Sequence, residues 1–257
     1  MENPQDWRMS FTADVNGLQL FYRDNGEGTP LLLLHGFTGS GDDWRHVFGS
    51  PLSGYRTITP DLRGHGRSTN PSGEFRFADV ARDVFALLDR LAIDRVKAIG
   101  MSAGANTLLH MATQQPDRIS AMIHVSGTPR FPDQARGIMS TMTEETRSDG
   151  EWADMRTRHH HGDEQIRALW RHAREFGNDR EDMNFTPTTL SSIIARTLIV
   201  HGDRDPLYPV ELAVELLRAI PTASLWVVPE GGHGPIFGNQ AAPFVNMAAD
   251  FFAASPN

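Results

Sequence analysis

The chain has 257 residues and a formal net charge of −8, with 39% hydrophobic and 22% charged residues, a balance ordinary for a globular protein. The length suits one large α/β domain or two small ones, and the acidic balance argues against nucleic acid or an anionic membrane surface as partners. The absence of cysteine excludes disulfides, thiolate nucleophiles and cysteine metal ligands.

Residues 1–11 have neither the basic nor the apolar region of a signal peptide, so we expect a soluble, cytoplasmic protein.

Turn residues and alternation predict the first strands. An Asn-Gly pair at 16–17 joins two alternating runs and predicts a hairpin. Four consecutive leucines at 31–34 are typical of a central parallel strand that is buried on both faces, and residues 55–60 indicate the next strand.

Helical and strand-like patterns alternate along the rest of the chain. Apolar residues at i, i+3, i+4 and i+7 predict an amphipathic helix over 77–91, followed directly by a strand at 95–100. The other predicted helices lie at 105–115, 210–220 and 241–253, and the other predicted strands at 119–125, 195–201 and 224–228. This alternation predicts an α/β fold with a mostly parallel central sheet and helices on both faces.

Between about residue 127 and residue 190 the alternation stops. The segment is rich in Arg, Asp, Glu and His and is too long for a connecting loop. We therefore expect a core domain made of residues 1–127 and 191–257, with a small helical cap insertion at 128–190. Four apolar side chains of the insertion could line a substrate pocket, although such residues more commonly form the packing surface of the insertion itself. They are Met139, Met142, Trp170 and Phe176.

A serine with a glycine two residues to either side, Ser102 in AIGMSAGAN, lies at the predicted junction of a strand and a helix. Such a pattern arises by chance about 0.12 times in a chain of this composition, so it needs context. Polar loops also follow apolar strand residues at 35–37, 201–205 and 231–234. Since functional groups gather beyond the carboxyl ends of parallel strands, these loops are expected to meet.

Five motifs together resemble the α/β-hydrolase superfamily, and the likeness runs nearly the whole length of the chain. They are HGF at 35–37, DLRGHGRS at 61–68, GMSAG at 100–104, GDRDPLYP at 202–209 and GGHG at 231–234. Each is weak alone, but five in the family's order, each after a predicted strand, form a specific signal. The resemblance implies an α/β-hydrolase fold and a serine hydrolase that needs no metal and no organic cofactor.

The resemblance also implies catalytic roles for the residues of these motifs. Ser102 is the nucleophile, His233 is the base that takes its proton, and Asp205 orients and stabilises the imidazole. The elbow that carries the serine is so tight that Gly100 and Gly104 must lie there, because a side chain two residues to either side would not fit.

Two further assignments come from the resemblance. The family pattern Gly-x-x-Asp-x-x-x-Pro places the acid at Asp205 rather than at Asp203, which we expect to organise the loop. The oxyanion hole, the pair of donors that stabilises the negative charge of the transition state, is assigned to the backbone N–H groups of Phe37 and Ala103.

Other polar residues of the motifs are expected to be structural. His35 and His65 are predicted to support loop structure, and Asp61 and Arg63 to form a loop ion pair.

Two interpretations stay open for the triplet His159-His160-His161 with Asp163: a metal site, or a solvated face of the insertion. The solvated face is favoured, because consecutive residues point in different directions and i, i+4 spacing supplies at most two ligands.

The serine narrows the choice of reaction, because haloalkane dehalogenases and epoxide hydrolases of this superfamily use aspartate at the nucleophile position. We expect a carboxylesterase that cleaves small to medium acyl esters through an acyl-enzyme. One alternative is hydrolysis of carbon–carbon bonds in ring-fission products; that group usually has Asn and Trp where this chain has Met101 and Gly234. A ligand receptor on the same fold is a further alternative. The expected partner is a small-molecule ester, and a monomer and a homo-oligomer both stay open.

Overall fold

An eight-stranded sheet runs through the computed structural model, which describes residue 7 and residues 9–254. Its spatial order is β1-β2-β4-β3-β5-β6-β7-β8; β1 and β2 are antiparallel to their neighbours, and the other six strands are parallel to one another. The strands are β1 (Ser10–Val15), β2 (Leu18–Asn25), β3 (Thr29–Leu34), β4 (Tyr55–Pro60), β5 (Val96–Met101), β6 (Ile119–Val125), β7 (Arg196–Gly202) and β8 (Ala223–Val228). The predicted fold class is confirmed.

Helices cover both faces of this sheet, as predicted. In the described part of the chain they are α1 (Arg45–Phe48), α2 (Phe77–Arg90), α3 (Ala103–Gln114), α4 (Asp133–Ser140), α5 (Asp149–Arg158), α6 (Asp163–Asn178), α7 (Pro187–Leu190), α8 (Val210–Ala219) and α9 (Ala241–Ala253). Among the described residues, no helix combines the length and the apolar character needed to cross a bilayer.

The predicted hairpin is confirmed, and its turn has a specific geometry. Asn16 and Gly17 have φ values of 47° and 81°. Two consecutive positive φ angles give a type I′ turn, whose twist matches that of the paired strands on either side.

The four leucines of β3 divide the core between the two faces of the sheet. Leu32 and Leu34 belong to the cluster that includes side chains of α2, α3 and α8, whereas Leu31 and Leu33 pack with side chains of α1 and α9. All four are at most 1% exposed. The leucine run is therefore a central strand buried on both faces, because alternate side chains of a strand point to opposite sides.

Four helices, α4 to α7, lie between β6 and β7 instead of a single crossover helix. A small apolar cluster of α5 and α6, formed by Met155, Ile166, Leu169 and Trp170, packs against Phe37 of the loop after β3. The segment therefore lies over the carboxyl edge of the sheet. The division into a core domain and a cap insertion stays a prediction.

The expected ion pair between Asp61 and Arg63 is wrong. The guanidinium of Arg63 donates to both carboxylate oxygens of Asp83 on α2, at 2.6 and 2.9 Å. Asp61 instead accepts from the backbone N–H groups of Gly41 and Arg67, both at 2.8 Å. The reason is that α2 packs beneath this loop and offers Arg63 a buried bidentate partner.

We expect Asp83→Ala to lower the free energy of unfolding by about 3–5 kcal/mol, because it leaves a buried guanidinium unpaired. The Arg63 and Asp83 side chains are 10% and 1% exposed. The matched control is Asp89→Ala on the same helix; its carboxylate pairs with Arg118 but is 63% exposed, so the loss should be about 0–1 kcal/mol. Urea denaturation followed by circular dichroism measures both, and equal losses would contradict the assignment.

Candidate active site

Ser102 occupies a sharp turn between β5 and α3. Its φ of 51° and ψ of −111° lie in a region that residues with side chains rarely adopt. Two backbone hydrogen bonds hold it there: its N–H donates to the Val125 carbonyl at 2.8 Å, and its carbonyl accepts from the Asn106 N–H at 2.8 Å. The strained turn lifts the hydroxyl above the carboxyl edge of the sheet.

Gly100 and Gly104 allow this turn to close. A Cβ atom on Gly100 would lie 2.4 Å from the carbonyl oxygen of Gly104, and one on Gly104 would lie 2.1 Å from that of Leu34. Both distances are far shorter than a van der Waals contact, and the backbone atoms at these positions are packed too closely to move away. The start of α3 can therefore approach β3 and β5 only where these residues carry no side chain.

The structure brings Ser102, His233 and Asp205 into one hydrogen-bonded line. Ser102 Oγ lies 2.9 Å from His233 Nε2, and His233 Nδ1 lies 2.8 Å from Asp205 Oδ2. A carboxylate can only accept, so Nδ1 carries the ring proton and Nε2 is left as the acceptor of the serine hydroxyl. This is the tautomer that a general base needs.

The Asp205 carboxylate is fully buried, and its surroundings favour the charged form. Burial by itself would raise the pKa of Asp205, but the hydrogen bond and charge of His233 and the N–H groups of Leu207 and Tyr208 bring the pKa below its ordinary value. The two N–H groups donate to Oδ1 at 2.8 and 3.1 Å. Asp203, two residues earlier, is exposed and lies outside this line.

Two residues to which the sequence analysis assigned no role support this acid. His201 at the end of β7 contacts the carbonyl of Tyr208 through Nε2 at 2.9 Å, which fixes the loop that carries Asp205. The Tyr208 ring stands edge-on to His233 with centroids 5.3 Å apart, and burial of its hydroxyl raises the pKa of Tyr208. The signals were present, since His201 ends a predicted strand and Tyr208 lies within the GDRDPLYP motif.

Phe37 and Ala103, whose backbone N–H groups are the predicted oxyanion hole, line the same cavity as Ser102. Neither donates a hydrogen bond to another described residue. Ala103 is the first residue of α3, so its N–H has no partner within the helix. Both N–H groups therefore remain available as hydrogen-bond donors in residues that line the cavity, and the oxyanion hole stays a prediction.

His35 and His65 hydrogen-bond to loop backbone, as expected of structural residues. His35 Nε2 accepts from the Leu62 N–H at 2.9 Å, and His65 Nδ1 lies 3.0 Å from the Arg63 carbonyl.

The expected solvated face is wrong for one member of the histidine triplet. His160 and His161 are exposed, but His159 is only 2% exposed and points between two loops of the sheet edge. The chain leaves α5 at His159, so its side chain turns inward while the next two face solvent. No cluster of three or more potential metal ligands occurs among the described residues.

A cavity of about 240 Å³ opens above the serine. Of the four apolar side chains considered for a pocket, Met139, Met142 and Phe176 line it, whereas Trp170 packs edge-on against Trp152 outside it. The other lining residues are Gly36, Phe37, Thr38, Phe77, Met101, Ser102, Ala103, Asn106, Phe131, Ala173, Leu207, Tyr208 and His233. No lysine, arginine, aspartate or glutamate is among the described residues that line this cavity.

Another buried histidine, His124 on β6, lies beneath the elbow. It neighbours Gly100 of β5, and a Cβ on Gly127 would lie 2.5 Å from its ring. Burial first, and then the nearby His201 ring, lowers the pKa of His124 to about 3. The ring is therefore neutral in the folded protein at ordinary pH.

The family model described as alpha/beta hydrolase fold matches residues 29–158, and one described as TAP-like protein matches residues 179–255. The chain is 29% identical over 273 residues to 2-hydroxy-6-oxononadienedioate/2-hydroxy-6-oxononatrienedioate hydrolase 2 of Pseudomonas putida, covering 91% of each protein.

Two solved structures are similar over nearly the full length. One is Est816, an N-acyl homoserine lactone degrading enzyme, with 25% identity, a TM-score of 0.73 and coverage of 93% of this chain and 99% of that one. The other is the enol-lactonase from Burkholderia xenovorans LB400, with 22% identity, a TM-score of 0.76 and coverage of 95% and 100%. The matches support a hydrolase activity without fixing the bond that is cleaved.

Acidification should destabilise the fold through His124. Its folded pKa of about 3 lies below the ordinary 6.5, so the unfolded chain binds more protons between these values and the free energy of unfolding falls as the pH falls through this window. We expect His124→Leu to reduce the difference in unfolding free energy between pH 7 and pH 5 by about 2 kcal/mol.

Urea denaturation at the two pH values measures this difference. Met122→Leu is the matched control, since it changes a buried residue of the same strand without removing a titratable group. An unchanged difference in the His124→Leu variant would contradict the prediction.

Proposed function

Because the chain belongs to the alpha/beta hydrolase fold family, we propose that it is a serine carboxylesterase that cleaves small to medium acyl esters. The observation that carries the proposal is the line from Ser102 Oγ through His233 to Asp205, at 2.9 and 2.8 Å, at the base of an uncharged cavity.

In the first step, Ser102 Oγ attacks the ester carbonyl carbon and its proton passes to His233 Nε2. Asp205 stabilises the imidazolium that forms, because its carboxylate is buried and already hydrogen-bonded to Nδ1. The bond to the alcohol oxygen then breaks, and the imidazolium returns the proton to the leaving alcohol. The product of this step is an acyl-enzyme on Ser102.

In the second step, water replaces the alcohol. His233 takes a proton from the water while the water oxygen attacks the acyl carbonyl carbon. The imidazolium then returns this proton to Ser102 Oγ as the carboxylic acid leaves. In both steps the N–H groups of Phe37 and Ala103 stabilise the negative oxygen, and one such donor is typically worth about 3 kcal/mol of barrier.

The cavity lining favours a neutral acyl group. Burying a carboxylate without a charged or well-placed partner is costly, and no cationic residue is among the described residues of this cavity. The dioate substrate in the name of the Pseudomonas putida relative carries two carboxylates, so that chemistry fits the cavity less well. Lactones are cyclic esters and fall within the proposed reaction.

We expect Asp205→Asn to lower kcat on short p-nitrophenyl esters by about 10⁴-fold, because an amide at this position favours the wrong histidine tautomer. Asp203→Asn is the matched control from the same loop, and it should change kcat by less than about threefold because the side chain is exposed. Steady-state kinetics of the two purified variants make the comparison. Equal losses, or a larger loss for Asp203→Asn, would remove the assignment of the acid.

A panel of substrates tests which kind of bond the protein cleaves. We expect kcat/KM for neutral short-chain esters and lactones to exceed that for a ring-fission dienoate by about 100-fold or more, since a buried unpaired charge costs at least about 3 kcal/mol. Faster cleavage of the dienoate would favour the carbon–carbon hydrolase. Labelling of Ser102 by a serine-directed phosphonate without turnover of any ester would favour a receptor.

A further inference from the structure

His159 connects the helical segment between β6 and β7 to two loops at the carboxyl edge of the sheet. Its Nδ1 lies 2.9 Å from the backbone N of Gly66, in the loop after β4. Its Nε2 lies 3.1 Å from the carbonyl oxygen of Thr38, in the loop after β3. The side chain is 2% exposed, so both contacts are shielded from water.

The contact with Gly66 determines the tautomer of this ring. A backbone N–H can only donate, so Nδ1 must accept and the ring proton lies on Nε2. His159 therefore donates to the Thr38 carbonyl. Burial lowers the pKa of His159 to about 4, against the raising effect of the Thr38 hydrogen bond, so this neutral form prevails at neutral pH.

The group that His159 contacts belongs to a strained turn beside the serine. Thr38 has a φ of 62°, a left-handed conformation that is unfavourable for a β-branched residue. Bonds within the loop support it: Thr38 Oγ1 donates to the Phe37 carbonyl at 2.6 Å, and the Gly39 N–H donates to the Gly36 carbonyl at 3.1 Å. The Thr38 carbonyl and the Gly39 N–H belong to one peptide group, and the Gly36 carbonyl and the Phe37 N–H belong to another. The Gly39–Gly36 hydrogen bond therefore couples the carbonyl that His159 contacts to the orientation of the Phe37 N–H.

We propose that His159 is a positioning residue of the active site, which holds the Thr38 carbonyl so that the Phe37 N–H faces the oxyanion. The inference rests on the proposed function, because it concerns the oxyanion hole of a serine hydrolase. It gives the helical segment a part in catalysis beyond lining the cavity. His159 itself touches neither the serine nor the cavity.

Two substitutions separate the two contacts of the ring. In His159→Asn the side-chain oxygen keeps an acceptor near the Nδ1 position for Gly66, but nothing reaches Thr38. In His159→Gln the longer amide places a donor near the Nε2 position and restores the bond to Thr38. His160→Asn is the matched control, since this neighbouring side chain is exposed.

The test measures kcat and KM on a short p-nitrophenyl ester and the second-order rate of labelling by a serine-directed phosphonate. We expect His159→Asn to lower kcat and the labelling rate by about 10- to 100-fold with KM changed less than about threefold, because a displaced donor weakens transition-state binding. His159→Gln and His160→Asn should stay within about threefold of the wild type for both rates.

Suppose that the phosphonate labels the wild type, and that a folded His159→Asn variant keeps the wild-type kcat and labelling rate. That result would overturn the positioning role and leave the esterase proposal intact. Absence of both labelling and turnover in the wild type would overturn the two proposals together. Should His159→Asn fail to fold, His159→Gln decides by itself, since a tenfold or greater loss of kcat in that variant contradicts the proposal.

Discussion

The active site depends on a close backbone approach between the start of α3 and the end of β3. Gly104 has no room for a side chain against the Leu34 carbonyl, and Gly100 has none against Gly104. This packing, together with the bond from the Ser102 N–H to Val125, maintains the strained geometry of the serine. The cost of the strain is offset by the buried strands around it, which cannot shift without opening the core.

Parallel strands then bring the remaining groups to the same edge. Asp205 follows β7 and His233 follows β8, and both strands end where β5 ends. The aspartate is held by backbone N–H groups of its own loop, and His201 supports that loop from the strand below. The charged end of the line is thus buried in protein, while the reactive end at Ser102 opens into an apolar cavity.

The helical segment between β6 and β7 completes the site from above. Met139, Met142 and Phe176 enclose the cavity, and His159 reaches down to the loop that carries Phe37. No hydrophobic period predicts such contacts, because they depend on how α4, α5 and α6 lie across the sheet edge. The triplet of histidines shows this directly: one ring is buried and two are exposed, although the three are adjacent in sequence.

By itself, the sequence determined the α/β class, the hairpin at Asn16, the central leucine strand and the loops that carry Ser102 and His233, because these follow from local periodicity, turn chemistry and motif order. Tertiary structure decided which distant groups meet: Arg63 pairs with Asp83 rather than Asp61, Trp170 lies outside the cavity, and His159 is buried. The physical reason is that a loop side chain takes its partner from whichever element packs against it, and that packing is not encoded in any short stretch of the chain.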